Sequence, residues 1–215
     1  MKTKILLPII IILFATTAAN AQINEGRYLL GGNVSYNSQK NPQGSGVNYE
    51  SFYSDIQFGK VIKDNTVAGI IASYSFSNNG PTNKSNQFSA GVFYRKYKPL
   101  AKNFYFFGEV DALYNHSNQT EGTFQIGNDA TRNFSNGGSV SFIPGISYSV
   151  CKRLQIELSM PNIASISYAG TKNETTSSIT NSVSTGNGNN FSGNIYLNTS
   201  LLSNFGIGFK FFLGK

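Results

Sequence analysis

The sequence predicts an all-β chain: an eight-stranded antiparallel up-and-down transmembrane β-barrel. Three observations predict it. Bulky apolar residues recur at every second position in eight separate runs, the signature of strands lying between two unlike environments. Long polar connections and short turns alternate along the whole chain. Charged residues make up only 13% of the chain, against about 25% in an ordinary globular protein. Phe (17) and Tyr (12) are abundant, yet no apolar stretch beyond the N-terminus reaches the length of a membrane helix.

The N-terminus reads as an export signal over residues 1–21, with the barrel domain over 22–215. Lys2 and Lys4 precede an apolar stretch, and Ala19-Asn20-Ala21 supplies the small residues of a cleavage site. Cleavage after Ala21 is expected, since the apolar stretch is shorter than the roughly 20 residues of a membrane span. The mature chain then carries 15 basic and 10 acidic side chains, a net +5. Its bases are scattered, which excludes a nucleic-acid patch. Cys151 is the only cysteine, so the chain holds no internal disulfide.

The first run, 27–37, sets Tyr28, Leu30, Val34 and Tyr36 against Arg27, Gly31, Asn33 and Ser35. The second, 49–60, sets Phe52, Ile56 and Phe58 against Tyr53, Asp55, Gln57 and Gly59. The third, 66–77, sets Ile70 and Tyr74 against Val67, Gly69 and Ser73, and the fourth, 87–97, sets Phe88, Val92 and Tyr94 against Gly91, Phe93 and Arg95. The fifth, 103–115, presents Phe104, Phe106, Val110 and Tyr114 opposite Tyr105, Phe107, Glu109 and Asp111. In the sixth, 138–150, Val140, Phe142 and Ile146 oppose Ser139, Ser141 and Gly145. Pro144 lacks a ladder donor, so a bulge or gap is expected there. The seventh begins at Leu154, alternates Ile156 and Leu158 with Gln155 and Glu157, and blurs after Pro161. The eighth, 204–213, places Phe205, Ile207, Phe209, Phe211 and Leu213 opposite Gly206, Gly208 and Lys210, with Phe212 breaking the rule. Its parity continues back through Leu201, Leu197, Ile195 and Phe191, so an extension paired with that of the seventh run should rise above the membrane.

Each run is near the roughly 9–11 residues a tilted strand needs to cross a bilayer. The connections at 38–48, 78–86, 116–137 and 170–190 read as long external loops, the last as a mobile low-complexity loop. Those at 62–65, 98–102 and 151–153 read as short periplasmic turns.

Glycines and charges share the inward face. An eight-stranded lumen is just wide enough for side chains, so small residues make room for long ones. The long ones are Arg27, Arg95 and Lys210 with Asp55, Glu109, Asp111 and Glu157, three cations among four carboxylates. Unpaired charges in a narrow lumen are costly, which predicts a mutual network that plugs the barrel. A gate that exchanges partners is the alternative use of the same residues.

The segments Phe93-Tyr94-Arg95-Lys96-Tyr97-Lys98-Pro99-Leu100 and Asn103-Phe104-Tyr105-Phe106-Phe107-Gly108-Glu109 resemble the fourth–fifth hairpin of the small outer-membrane protein β-barrel domain family, a porin-family fold. Phe142-Ile143-Pro144-Gly145-Ile146-Ser147-Tyr148 and Phe205-Gly206-Ile207-Gly208-Phe209 resemble its sixth and closing strands, and the chain is similar at greater distance to the OmpA/OmpX type. The resemblance implies an outer-membrane location, with lipid, lipopolysaccharide and the barrel-insertion machinery as partners and an extracellular partner at the loops. It specifies architecture rather than activity. The expected role is structural or surface-interacting, with a small gated pore and a lipid-modifying enzyme as alternatives. His116, the only histidine, adjoins Ser117, but neighbours on a strand point apart and make a poor catalytic pair. Neither a catalytic site, a metal site nor a cofactor is expected.

Overall fold

Side-chain alternation is carried through into backbone pairing. The computed structural model describes residues 23–40, 48–80, 83–122, 130–160, 162–177, 182–195 and 206–214, so the expected signal segment lies outside the described residues. Among these residues the strands are β1 (Tyr28–Lys40), β2 (Asn48–Lys63), β3 (Thr66–Asn79), β4 (Asn83–Ala101) and β5 (Phe104–Glu121), followed by β6 (Ala130–Cys151), β7 (Leu154–Ser159), β8 (Ala164–Thr176), β9 (Val183–Ile195) and β10 (Gly206–Leu213). Every ladder is antiparallel. Strands β1 to β7 pair in sequence order, and β10 closes an eight-membered ring by pairing with both β7 and β1. The protein is an all-β up-and-down barrel.

One end of the ring is tight. The pairs Lys63↔Thr66, Ala101↔Phe104 and Cys151↔Leu154 each enclose a two-residue turn. Asn65 takes a left-handed backbone (φ 60°), which asparagine tolerates better than most residues and which suits a tight hairpin. The segment before β1 tucks beneath this end. Gly26 N donates to the Val61 carbonyl at 2.9 Å, and Asn65 N donates to the Ile23 carbonyl at 2.9 Å.

The other end corrects the loop expectation. Much of 116–137 lies in β5 and β6, which pair from Tyr114↔Gly138 up to Glu121↔Thr131. The stretch expected as a mobile loop over 170–190 supplies seven of the thirteen β8–β9 pairs, from Gly170↔Asn189 to Thr176↔Val183. The outer parts of these strands are largely polar on both faces, beyond Ile166, Tyr168, Phe191 and Ile195. The ladder itself supplies the pairing, aided by cross-strand contacts such as Thr131–Thr175 at 3.1 Å and Ser167–Ser192 at 2.9 Å. An apolar face signals burial rather than pairing, so its absence did not mean a loop.

The break expected at Pro144 is present. Strand β6 pairs with β7 below it (Gly145↔Ser159) and with β8 above it (Phe142↔Ala164). Ile143 and Pro144 of β6 thus fall between its two ladders, opposite the connection from β7 to β8. The excursion stays pinned, because Met160 N donates to the Pro144 carbonyl at 2.9 Å and Ile163 N to that of Phe142 at 3.0 Å. The seventh run is therefore two strands sharing β6 as partner. Likewise β9 and β10 carry the two ends of the long closing run, whose residues 196–205 lie outside the described ones.

Burial alternates along the strands of the ring and runs inside out. Ile56, Ile70, Val92, Val110, Val140 and Ile207 are all exposed on the outer wall, Ile70 at 61%. Exposed Tyr36, Tyr74, Phe88 and Tyr114 flank this band on one side along their strands, and Tyr28, Phe58, Tyr94 and Phe209 on the other. Tyr28 stacks on Phe58 with centroids 6.0 Å apart, while Phe104 and Tyr148 pack at 4.8 Å. The buried face, by contrast, includes Arg95, Glu109, Glu157 and Lys210.

Candidate functional site in the lumen

The lumen is layered. At the tight end Leu29, Val61, Val67, Phe93, Tyr97 and Phe107 form a buried apolar floor, completed by Ile23, Tyr105 and Phe212. Phe212, the residue that interrupts the apolar parity of the closing strand, points inward and packs edge-on against Tyr97 at 6.4 Å. Glycines accommodate the rings: a Cβ at Gly59 or Gly69 would stand 2.9 or 2.8 Å from Phe93, and one at Gly145 would collide with Phe107. This aromatic floor was readable in part, because Phe93, Tyr105 and Phe107 share the parity of the inward charges.

Arg95 sits directly on the floor, its guanidinium 4.6 Å from the centroid of the Phe107 ring. Its Nε donates to Glu109 Oε2 and its Nη1 to Glu157 Oε2, both at 2.6 Å, and Nη2 donates to Gln57 Oε1 at 3.2 Å. Gln57 Nε2 in turn donates to Glu109 Oε1 at 3.0 Å, and the Tyr97 hydroxyl donates to Glu157 Oε1 at 2.9 Å. Strands β2, β4, β5 and β7 are thereby tied across the lumen by one planar cation. Short charge-assisted bonds of this kind are about twice as strong as neutral ones. Lys210, from β10, stands 3.7 Å from Glu157 Oε2 and is fully buried.

The other expected charges are placed differently. Arg27 is at the tight end, apart from the network, where Nη2 donates to the carbonyls of Lys152 at 2.9 Å and Phe212 at 3.0 Å. Asp55 accepts a 2.8 Å bond from Asn33 Nδ2 and is also hydrogen-bonded to Tyr53. Asp111 is buried beside the network with its Oδ1 unpartnered. Gln57, Tyr97 and Asn33 are the members that charge reasoning missed. Their inward parity was visible, but an amide or phenol carries no obligation to find an opposite charge.

Above the network the lumen opens into a polar cup of about 760 Å³. Asp55, Arg95, Glu109 and Asp111 reach its base, and Ser73, Ser89, Ser139 and Ser141 are among its walls. Ser89 Oγ donates to Asn115 Oδ1 at 2.6 Å, and Asn115 Nδ2 donates to Ser139 Oγ at 2.8 Å. Ser117 lines the cup, whereas the next-door His116 is exposed and contacts Asn136 Oδ1 at 2.7 Å. The two side chains lie on opposite faces of β5. Cys151 is exposed at the end of β6.

No family model and no curated protein matches the chain. Among solved structures the chain is similar to the crystal structure of Neisserial surface protein A, at 13% identity and a TM-score of 0.48. The match covers 86% of this chain and 96% of that one.

Proposed function

We propose that this protein is an integral outer-membrane barrel with a closed lumen, serving a structural or surface-interaction role through the wall it raises above the membrane. One observation carries the reading: a belt of exposed large apolar side chains surrounds buried ion pairs. In water that belt would be an apolar surface far larger than soluble monomers tolerate. In lipid it is the expected outer face of a barrel, with aromatic residues flanking the apolar band.

Strands β4, β5 and β6 have 19, 18 and 22 residues. A tilted strand needs only about 9–11 to cross a bilayer. The excess lies at the end opposite the tight turns, and we assign it to the cell exterior. There the β8–β9 ribbon displays Ile166, Tyr168, Phe191 and Ile195 for contact with a partner. The tight end, which also holds the described ends of the chain, is periplasmic. No catalytic role is assigned, since His116 and Ser117 cannot meet. The outer-membrane fraction should contain a species whose gel mobility changes on heating in detergent. Recovery of the protein as a soluble periplasmic species would overturn the proposal.

A gated pore is the second reading, favoured by the sharing of Glu157 between Arg95 and Lys210. Opening would require more than partner exchange, because the aromatic floor below Arg95 must also part. The wild-type barrel is therefore expected to show no unit conductance in planar bilayers. Discrete steps in the wild type, made larger or more frequent by Phe107→Ala, would replace the closed barrel with the pore.

A further inference from the structure

We infer that the base of the polar cup is a binding site for a hydrophilic primary ammonium compound, held by Asp55, Asp111 and Asn33. Arg95 is taken up by Glu109 and Glu157 at 2.6 Å each, and Lys210 is nearest Glu157 at 3.7 Å. Two cations are thus matched to two carboxylates, and Asp55 and Asp111 remain without a cation in contact among the described residues. Both are more than nine-tenths buried, and both line the cup.

Hydrogen bonding independently identifies what is missing. Oδ1 of Asp55, Oδ1 of Asp111 and Oδ1 of Asn33 are buried without partners, and all three residues line the cup. Asn33 is not an acid, and its Nδ2 is already committed to Asp55. All three orphans are acceptors, and a buried unsatisfied acceptor costs about 1–3 kcal/mol. Lys210 Nζ, the unsatisfied donor nearby, is not in the cup lining.

A primary ammonium brings three N–H donors and one positive charge, matching three acceptors of net negative charge. A hard metal ion is a poorer match. Calcium takes about 6–8 oxygen ligands, and no group of three or more His, Cys, Asp or Glu is arranged for a metal among the described residues. The serine and asparagine walls suit a hydrophilic body on the amine, and 760 Å³ falls within the roughly 300–1,000 Å³ of small-molecule sites.

The test is calorimetric titration of the refolded barrel in zwitterionic detergent, which reads binding whether or not the protein resides in the outer membrane. Spermidine is expected to bind once per barrel. Asp111→Asn and Asn33→Leu should each weaken it about ten- to hundredfold, while Glu121→Gln at the upper rim leaves it unchanged. Ser139→Phe, which fills the cup without touching the acids, should abolish binding, and it keeps the test open if the acid variants fail to fold. Tetramethylammonium, which has charge but no N–H, should bind at least about tenfold more weakly than spermidine. Absence of spermidine binding would overturn the inference. So would equal binding of tetramethylammonium, undiminished binding by Asn33→Leu or Ser139→Phe, or calcium displacing spermidine.

Discussion

Replacing Arg95 by leucine should destabilise the barrel by about 3–5 kcal/mol, the usual consequence of removing one partner from a buried ion pair. The magnitude follows from what is left behind. Glu109 and Glu157 each lose a 2.6 Å charge-assisted bond and remain fully buried, with Lys210 at 3.7 Å as the remaining nearby cation. Arg95→Lys should recover only part of the loss, since one ammonium cannot reproduce the planar fork that reaches Glu109, Glu157 and Gln57 together. Replacing all four charges, in Arg95→Met/Glu109→Leu/Glu157→Leu/Lys210→Met, should restore much of the stability, because an apolar replacement of a buried ion-pair network is often as favourable as the network itself. Urea unfolding of vesicle-inserted protein, followed by the folded band on a cold gel, measures all of these. Wild-type stability in Arg95→Leu would show that the network does not hold the strands together.

Ile70→Arg should cost about 2–4 kcal/mol in the same assay, the range for an arginine at the midplane of a lipid-facing barrel wall. Ile70 lies on the outer face between Phe58 and Val92, within the apolar belt. Val183→Arg is the matched control. Its site is as exposed as Ile70, at 61%, but sits at the far end of β9, above the proposed bilayer, so its cost should be about 0–1 kcal/mol. The contrast bears directly on the membrane reading. For a barrel in water both substitutions would place a charge on a wet surface, and neither should destabilise.

The parity of the ring strands was legible because each strand separates two faces of opposite polarity. Tyr94, Arg95 and Lys96 alternate between wall and lumen, and a period of two survives any choice of neighbour. Tight turns were legible at Asp64-Asn65, where the hairpin needs a residue that accepts positive φ. Above the belt that logic lost its hold. Gly170, Asn187 and Thr175 carry no apolar contrast, so the outer parts of β8 and β9 were indistinguishable from loop by composition, whereas the parity through Phe191 and Ile195 did mark the inner part of β9 as a paired extension. Pro144 marked a discontinuity, but the partner change of β6 from β7 to β8 depends on the chain that faces it.

Local sequence alone was enough for the all-β class, the count of eight ring strands and the inward parity of the charges. These follow from local alternation, which each strand displays alone. Tertiary structure decided which charges meet. Arg95 reaches Glu157, 62 residues away, only because closure of the ring brings β4 and β7 to face each other across the lumen. The same closure leaves Asp55 and Asp111 facing the cup, and turns Phe212 from an exception in the closing strand into part of the floor. Those outcomes depend on ring closure and stagger, which no single strand encodes.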